Sequence, residues 1–200
     1  MLEGILVDLV PSDVKDLELH HTWRNNESQF WGSGGDRVLL TRAMLGRQRE
    51  RRRERRADNP YRGVYFSIRT KPQAAEPGRP IGFMGINWMN PTHRWAVLGA
   101  IIGEPDYWGG GYGKDGVLLL ADYAFAWFDL RKLWLMTTSM NGRVLRQMEK
   151  LGFSLEARQR KSALADGEWF DWLYFGVLRA EWPGRLALVE QLGLHENTTR

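Results

Sequence analysis

The chain has 200 residues, 43% of them hydrophobic, 12% aromatic and 26% charged, a globular composition of single-domain length that excludes a wholly disordered chain. It has no cysteine, which excludes disulfides, thiolate metal sites and cysteine nucleophiles and fits a cytoplasmic setting. The formal net charge of +4 is local: residues 49–56 hold six of the 28 basic residues, and outside that stretch 22 bases face 22 acids.

Ile5–Val10 reads as a first strand ended by Pro11, and Ser12 then caps a helix predicted to run to about Trp23. No basic flank accompanies Glu3 and Asp8, so this start does not read as a signal peptide. No apolar run reaches the roughly 18–20 residues that cross a bilayer, and no membrane association is expected. Trp31–Gly35 breaks the helical pattern. A second helix is predicted over Leu39–Arg56, whose apolar residues Leu39, Leu40, Ala43 and Met44 stop in its first third. Its arginine-rich remainder, within residues 47–56, is a solvated face or, as Arg49–Arg56, the one place where nucleic acid would bind.

Tyr61–Thr70, Ile81–Met89 and Trp95–Ile102 read as strands, with Lys71–Pro80 a surface loop and Asn90-Pro91-Thr92-His93 a turn. After a glycine-dense stretch, Val117–Phe128 has the spacing of a buried helix. Arg131–Thr138 is a strand, Arg143–Leu151 a helix, and Gly152-Phe153 a stop. Ser154–Ser162 and Glu168–Leu178 form a hairpin around Asp166-Gly167. This order gives one mixed α/β domain over residues 1–183, and residues 184–200 read as a short helix and a frayed tail.

The most informative stretch is Ile101-Ile102-Gly103-Glu104-Pro105-Asp106-Tyr107-Trp108-Gly109-Gly110-Gly111-Tyr112-Gly113-Lys114. Glycines opening a helix leave backbone N–H groups uncovered at its positive end, which suits a phosphate. A Walker A loop fails twice, because Trp108 and Asp115 stand where Gly and Ser or Thr are needed. The dinucleotide fingerprint is literally present as Gly111, Gly113 and Gly116. However, Glu104–Gly110 separates it from its strand, and the next strand ends in Thr138-Ser139-Met140-Asn141 without an acid. His20, His21, His93 and His195 have no metal-ligand spacing, so no metal is expected.

Pro105-Asp106-Tyr107-Trp108-Gly109 with Gly111-Tyr112-Gly113, then Asn141 with Glu149-Lys150-Leu151-Gly152-Phe153, then the hairpin from Asp166-Gly167-Glu168-Trp169 to Glu181-Trp182, together resemble the GNAT superfamily of coenzyme A-dependent N-acetyltransferases, in its RimJ/RimL branch. The resemblance covers about residues 80–182. It implies a mostly antiparallel twisted sheet of about seven strands, flanking helices and a splayed strand pair that takes the coenzyme. It also implies acetyl-CoA as cosubstrate and a primary amine, on a protein N-terminus or a small molecule, as acceptor. A homodimer is left open, as is a coenzyme-binding module without transferase activity.

On this resemblance Ile101, Ile102 and Gly103 would meet the pantetheine arm, Trp108, Gly109, Gly110, Gly111, Tyr112 and Gly113 the pyrophosphate, and Asn141 the coenzyme. His20–Arg24 would fall near the acceptor. Many relatives carry a tyrosine general acid where this chain has Met148, which donates no proton. That leaves the acid unassigned, with Ser139 a candidate; Glu168, Glu104 and Asp171 are the candidate bases, and an ordered water could replace them. With no cysteine, transfer would go directly from coenzyme to amine.

Overall fold

A computed structural model describes residues 1–12, 16–58, 63–72 and 78–195. The predicted loop at Lys71–Pro80, the start of the strand from Tyr61 and the tail beyond His195 fall partly or wholly outside them. The strands are β1 (Leu2–Glu3), β2 (Val7–Pro11), β3 (Val64–Thr70), β4 (Pro80–Asn90), β5 (Trp95–Ile102), β6 (Lys132–Thr138), β7 (Ser154–Ala165) and β8 (Glu168–Leu178). They form one sheet in the order β1-β2-β3-β4-β5-β6-β8-β7, so the expected seven strands are eight. Every neighbouring pair is antiparallel except β5 and β6.

The first strand predicted over Ile5–Val10 runs as β2, a two-residue strand β1 precedes it, and the N–H groups of residues 5–7 bond a side chain described below. Helices α1 (Leu17–Trp23), α2 (Glu27–Ser33), α3 (Arg42–Asp58), α4 (Tyr112–Trp127), α5 (Gly142–Lys150) and α6 (Arg185–Leu192) complete the chain. Helix α1 starts after Asp16, not Ser12. Helix α2 replaces the predicted break: the Asn26 side chain caps it by accepting from the Ser28 N–H at 2.9 Å, and left-handed Gly34 ends it. Trp31 therefore lies inside a helix. Helix α4 begins at the glycines themselves, five residues earlier than its apolar pattern suggests.

Helix α4 buries Val117, Leu118, Leu120, Ala121, Ala124 and Phe125, most of its circumference, because it lies between the sheet and α6. Met84, Ile86, Leu98, Leu133, Leu135 and Phe175 meet it from the sheet, and Met148, Leu151 and Phe153 from the α5 region. Each large apolar side chain buried here contributes about 1.5–3 kcal/mol. Leu188 and Leu194, on and just after α6, join the same core.

On the opposite face α1 and α2 cover the far end of β4 and β5, where Trp23, His20 and Phe83 stack. Beyond them Trp88, Trp95, Trp134 and Tyr174 form a row across four strands, with ring centres 4.7, 5.9 and 6.1 Å apart.

Candidate active site

The site begins with a strand pair that stops pairing. β5 and β6 run parallel in register only at Trp95↔Lys132, Ala96↔Leu133 and Val97↔Trp134. Beyond that point β5 stays with β4 up to Ile102 and β6 stays with β8 up to Thr138, so the two strands separate. The gap opens into a cavity of about 390 Å³ between α4 and α5. Its floor is apolar, made by Leu98, Leu135, Val117, Leu120 and Met148. Its rim is Trp108, Gly109, Gly111, Gly113 and Lys114 on one side and Asn141, Arg143, Arg146 and Lys150 on the other. Ser28, Trp31 and Gly32 of α2 close the end between them.

The glycine loop folds as the sequence reading requires. A short 3₁₀ turn over Pro105–Tyr107 leads to Gly109 and Gly111, both with positive φ, at +86° and +93°. Gly111 is the N-cap of α4 and has no side chain to cap it. The first turn of a helix leaves its N–H groups without intrahelical acceptors. They face the cavity rim, where they and the helix dipole offer donors and partial positive charge.

The exposed edge of β5 differs in detail from expectation. The Gly103 N–H donates to the Ile81 carbonyl at 2.8 Å, so its backbone faces β4. Alternation along an antiparallel ladder then turns Ile101 toward β4 as well, and turns Ala100 and Ile102 toward the gap. The Gly103 carbonyl is already taken by the Ser28 hydroxyl at 2.8 Å and the Asn26 amide at 3.4 Å. The Ile102 carbonyl accepts from the Trp108 indole at 2.9 Å. Ala100, missed by the sequence reading, is thus a better placed backbone partner for an entering amide than Gly103. Among the predicted binding residues, Ile101, Ile102, Trp108, Gly109, Gly111, Gly113 and Asn141 line the cavity, whereas Gly103, Gly110 and Tyr112 do not.

The predicted acid and bases are not gathered at one point. Ser139 lies just past the end of β6, where its hydroxyl accepts the Asp171 N–H at 3.0 Å and keeps its own proton. Glu104 sits beyond β5 with its carboxylate held by the Trp23 indole at 2.8 Å and Arg79 at 3.8 Å. Asp171 is committed to the Lys161 N–H and to Arg158. Glu168 is exposed in the β7–β8 hairpin and lines a separate depression with Lys161 and Trp169, away from the gap. Met148 is 1% exposed and contributes only apolar surface to the cavity floor.

Sequence reading missed the electrostatics. Lys114, Arg143, Arg146 and Lys150 line the cavity, and among the described residues no carboxylate does. Among the described residues none of the four forms an ion pair within 4 Å, whereas Arg37, Arg42, Arg94 and Lys132 each meet a carboxylate. The Arg143 guanidinium lies 3.9 Å from the Trp108 ring centre and 5.8 Å from that of Trp31. Burial pushes its pKa below the ordinary arginine value, with Glu27 partly opposing the shift. Arginine remains a cation at neutral pH all the same. The signal was in the sequence: cations at positions i, i+3 and i+7 share one helix face.

Behind the rim, Asp115 is fully buried. It accepts the backbone N–H groups of Ile5, Leu6 and Val7 at 2.8, 2.7 and 3.1 Å and meets Arg185 at 3.5 Å. Leu6 and Leu194 pack against Gly111 from the same side.

Residues 5–154 match the family model described as an acetyltransferase (GNAT) domain. Curated relatives include an N-acetyltransferase called p20 from Bacillus licheniformis, 28% identical over 60% of this chain and 64% of that one. The spermidine N(1)-acetyltransferase of Escherichia coli K12 is 30% identical over 46% of this chain and 49% of its own. The matched segments thus span half to just under two thirds of these relatives. Among solved structures, Mycobacterium smegmatis RimJ in complex with CoA-disulfide superposes with a TM-score of 0.78 at 18% identity, covering 96% of this chain and 94% of that one. Spermidine N-acetyltransferase from Vibrio cholerae in complex with CoA and spermine gives 0.75 at 19%, covering 88% and 97%. At these identities the likeness is one of fold.

Proposed function

Because the chain belongs to the GNAT acetyltransferase family, we propose that it transfers an acetyl group directly from acetyl-CoA to a primary amine. The observation that carries this reading is the separation of β5 from β6 onto a cavity with a glycine-capped helix and four cations at its rim, none of them in an ion pair within 4 Å among the described residues. These parts suit acetyl-CoA in order. The N–H groups of the α4 first turn and Lys114 face a pyrophosphate. The freed edge of β5 at Ala100 and Ile102 offers backbone partners to the pantetheine amides. The apolar floor shields the thioester from water. When bound, the coenzyme supplies the activated acetyl group and a thiolate that departs with little help, since a thiol of pKa ~8.5 is a fair leaving group.

Ser139 is our choice for the proton donor, since its hydroxyl hydrogen remains available at the end of β6. Glu104 is the candidate base. It would act through water, because both carboxylate oxygens already have partners. Within the family we place the chain in the RimJ/RimL-like branch, and we assign it to the cytoplasm on its lack of cysteine. The acceptor is a protein N-terminus or a small-molecule amine, and polyamines belong in its test because spermidine acetyltransferases are among its relatives.

Met148 favours a second reading, a coenzyme-binding module without turnover, because it fills the usual acid position with an apolar side chain. Calorimetric titration with acetyl-CoA, followed by thiol release over a panel of polyamines, amino sugars and N-terminal peptides, separates the two. Binding with turnover supports the enzyme and binding alone supports the module. No binding at millimolar coenzyme rejects both.

A further inference from the structure

The sheet has a second face that acetyl transfer leaves unused. Residues paired in register on neighbouring strands point to the same side of a sheet. Trp88↔Val97 and Val97↔Trp134 therefore share one face across β4, β5 and β6, and Met136↔Tyr174 extend it across β6 and β8. The Trp95 ring stands between those of Trp88 and Trp134. This side points away from α4, because Leu133 and Leu135, which alternate with Trp134 along β6, lie in the core. Trp88 is 46% exposed and Met136 50%, while Val97, Trp95, Trp134 and Tyr174 are half-buried. A contiguous apolar patch of a few hundred Å² at a surface marks a place where something docks.

The charges beside the patch define what fits it. Lys132, two residues before Trp134, pairs with Glu156 at 2.6 Å. Glu156 lies across Gly176, the residue opposite Trp134, where a Cβ would meet its carboxylate at 2.5 Å. Arg94, next to Trp95, pairs with Asp129 at 2.8 Å, and the Tyr174 hydroxyl donates to Gln159 at 3.2 Å. Both cations beside the rings thus have their own carboxylates, which leaves neither sign of charge for a nucleic acid or a polycation. A matching surface is apolar at its centre and carries paired charges at its edge, and this face is itself such a surface. A twofold axis through the patch turns each ion pair end for end and sets Lys132 of one copy against Glu156 of the other, so the face is self-complementary. The patch also has the size of the apolar centre of an interface that buries about 800 Å² per partner, with the polar rim supplying the rest. We propose that two copies of this chain pair through the back of the sheet, around Trp88, Trp95 and Trp134. Met136 belongs to both the patch and the cavity lining, so the second copy walls the open side of the strand gap. The pairing stands apart from the acetyl-CoA reading.

Sedimentation equilibrium on the intact protein, Trp88→Glu and Trp127→Glu tests the pairing, with thermal melts to confirm folding. Trp127, 76% exposed at the end of α4 on the other side of the sheet, is the control. The intact protein and Trp127→Glu should be dimers at micromolar concentration. Trp88→Glu should raise the dimer dissociation constant about 100-fold or more, because it buries a charge at the centre of the contact. A second arm uses the rim: Glu156→Lys should also weaken the dimer, and Lys132→Glu/Glu156→Lys should restore it. This arm decides the matter if Trp88→Glu does not fold. A monomeric intact protein overturns the proposal. So does an undiminished dimer in Trp88→Glu, a dimer lost in Trp127→Glu, or a charge exchange that restores nothing.

Discussion

The side-chain amide of Asn141 donates to the carbonyl of Trp31 at 3.2 Å, joining two helices whose residues stand 110 apart in the chain. Its oxygen meanwhile accepts the Val144 N–H at 3.4 Å and so caps α5. One side chain thus sets where α5 begins and how α2 closes the end of the cavity.

The two roles separate by substitution. Asn141→Asp keeps an acceptor for the cap but loses the donor to Trp31. It should retain stability within about 0.5 kcal/mol while raising the KM for acetyl-CoA. Asn141→Ala loses both bonds and should cost about 1–2 kcal/mol. Urea denaturation beside steady-state kinetics reads both, and identical behaviour of the two variants would contradict the division.

Gly111 and Gly113, two residues apart, should respond with opposite signs. An alanine at Gly111 must hold φ near +93°, and its Cβ would come within 3.0 Å of Leu6 and 3.2 Å of Leu194. Gly111→Ala is expected to lose about 1–3 kcal/mol of stability. At Gly113 a Cβ meets Gln147 and Ile102 at an ordinary 3.7 Å inside a helix. Gly113→Ala should gain up to about 0.5–1 kcal/mol from helix propensity while weakening acetyl-CoA binding, because its methyl enters the cavity. Thermal melts and coenzyme titrations on the pair check this, and a destabilised Gly113→Ala would refute it.

Arg143 pairs a cation with two indoles, and that geometry makes its contribution both salt-sensitive and shape-sensitive. Arg143→Ala should weaken acetyl-CoA about tenfold, a loss of roughly 1.4 kcal/mol. Arg143→Lys should recover little of it, since an ammonium does not stack flat on Trp108. Coenzyme affinity should fall as potassium chloride is raised, and the slope should be smaller in Arg143→Ala. A lysine variant equal to the intact protein would show that charge alone matters.

For the proton donor, Ser139→Ala should lower kcat about 100-fold with little change in the KM for acetyl-CoA. The hydroxyl also accepts the Asp171 N–H, so Ser139→Thr serves as the comparison that retains a hydroxyl. Equal kcat in the alanine variant and the intact protein would remove Ser139 from the chemistry and leave proton transfer to water.

Much of this arrangement is legible in the residues themselves. Alternation and turn signals place β4, β5 and the β7–β8 hairpin, and the glycines place the loop, because those patterns follow from local geometry. Helix α2 is not legible from its apolar spacing, because Trp31 and Phe30 serve the cavity and the surface rather than one core stripe. Its Asn26 cap and Gly34 stop, eight residues apart, are the signals that mark it. The electrostatics of the site escape for another reason. Lys114 lies on one helix and Arg143, Arg146 and Lys150 on another, and only tertiary packing shows that they share a cavity without acids. Glu168 illustrates the reverse error, an acid in a plausible motif that the hairpin carries away from the gap. The tryptophans divide the same way: Trp23 and Trp182 anchor half-buried carboxylate bonds, Trp31 and Trp108 frame a cation, and Trp88, Trp95 and Trp134 join Tyr174 in the row on the back of the sheet.

Asp115 makes the glycine loop depend on segments far apart in the chain. Its carboxylate accepts the N–H groups of residues 5–7 and meets Arg185, while Gly111 leans on Leu6 and Leu194. The cap of α4 is therefore braced jointly by residues 5–7 and 185–194, and loosening either segment withdraws support from the whole loop.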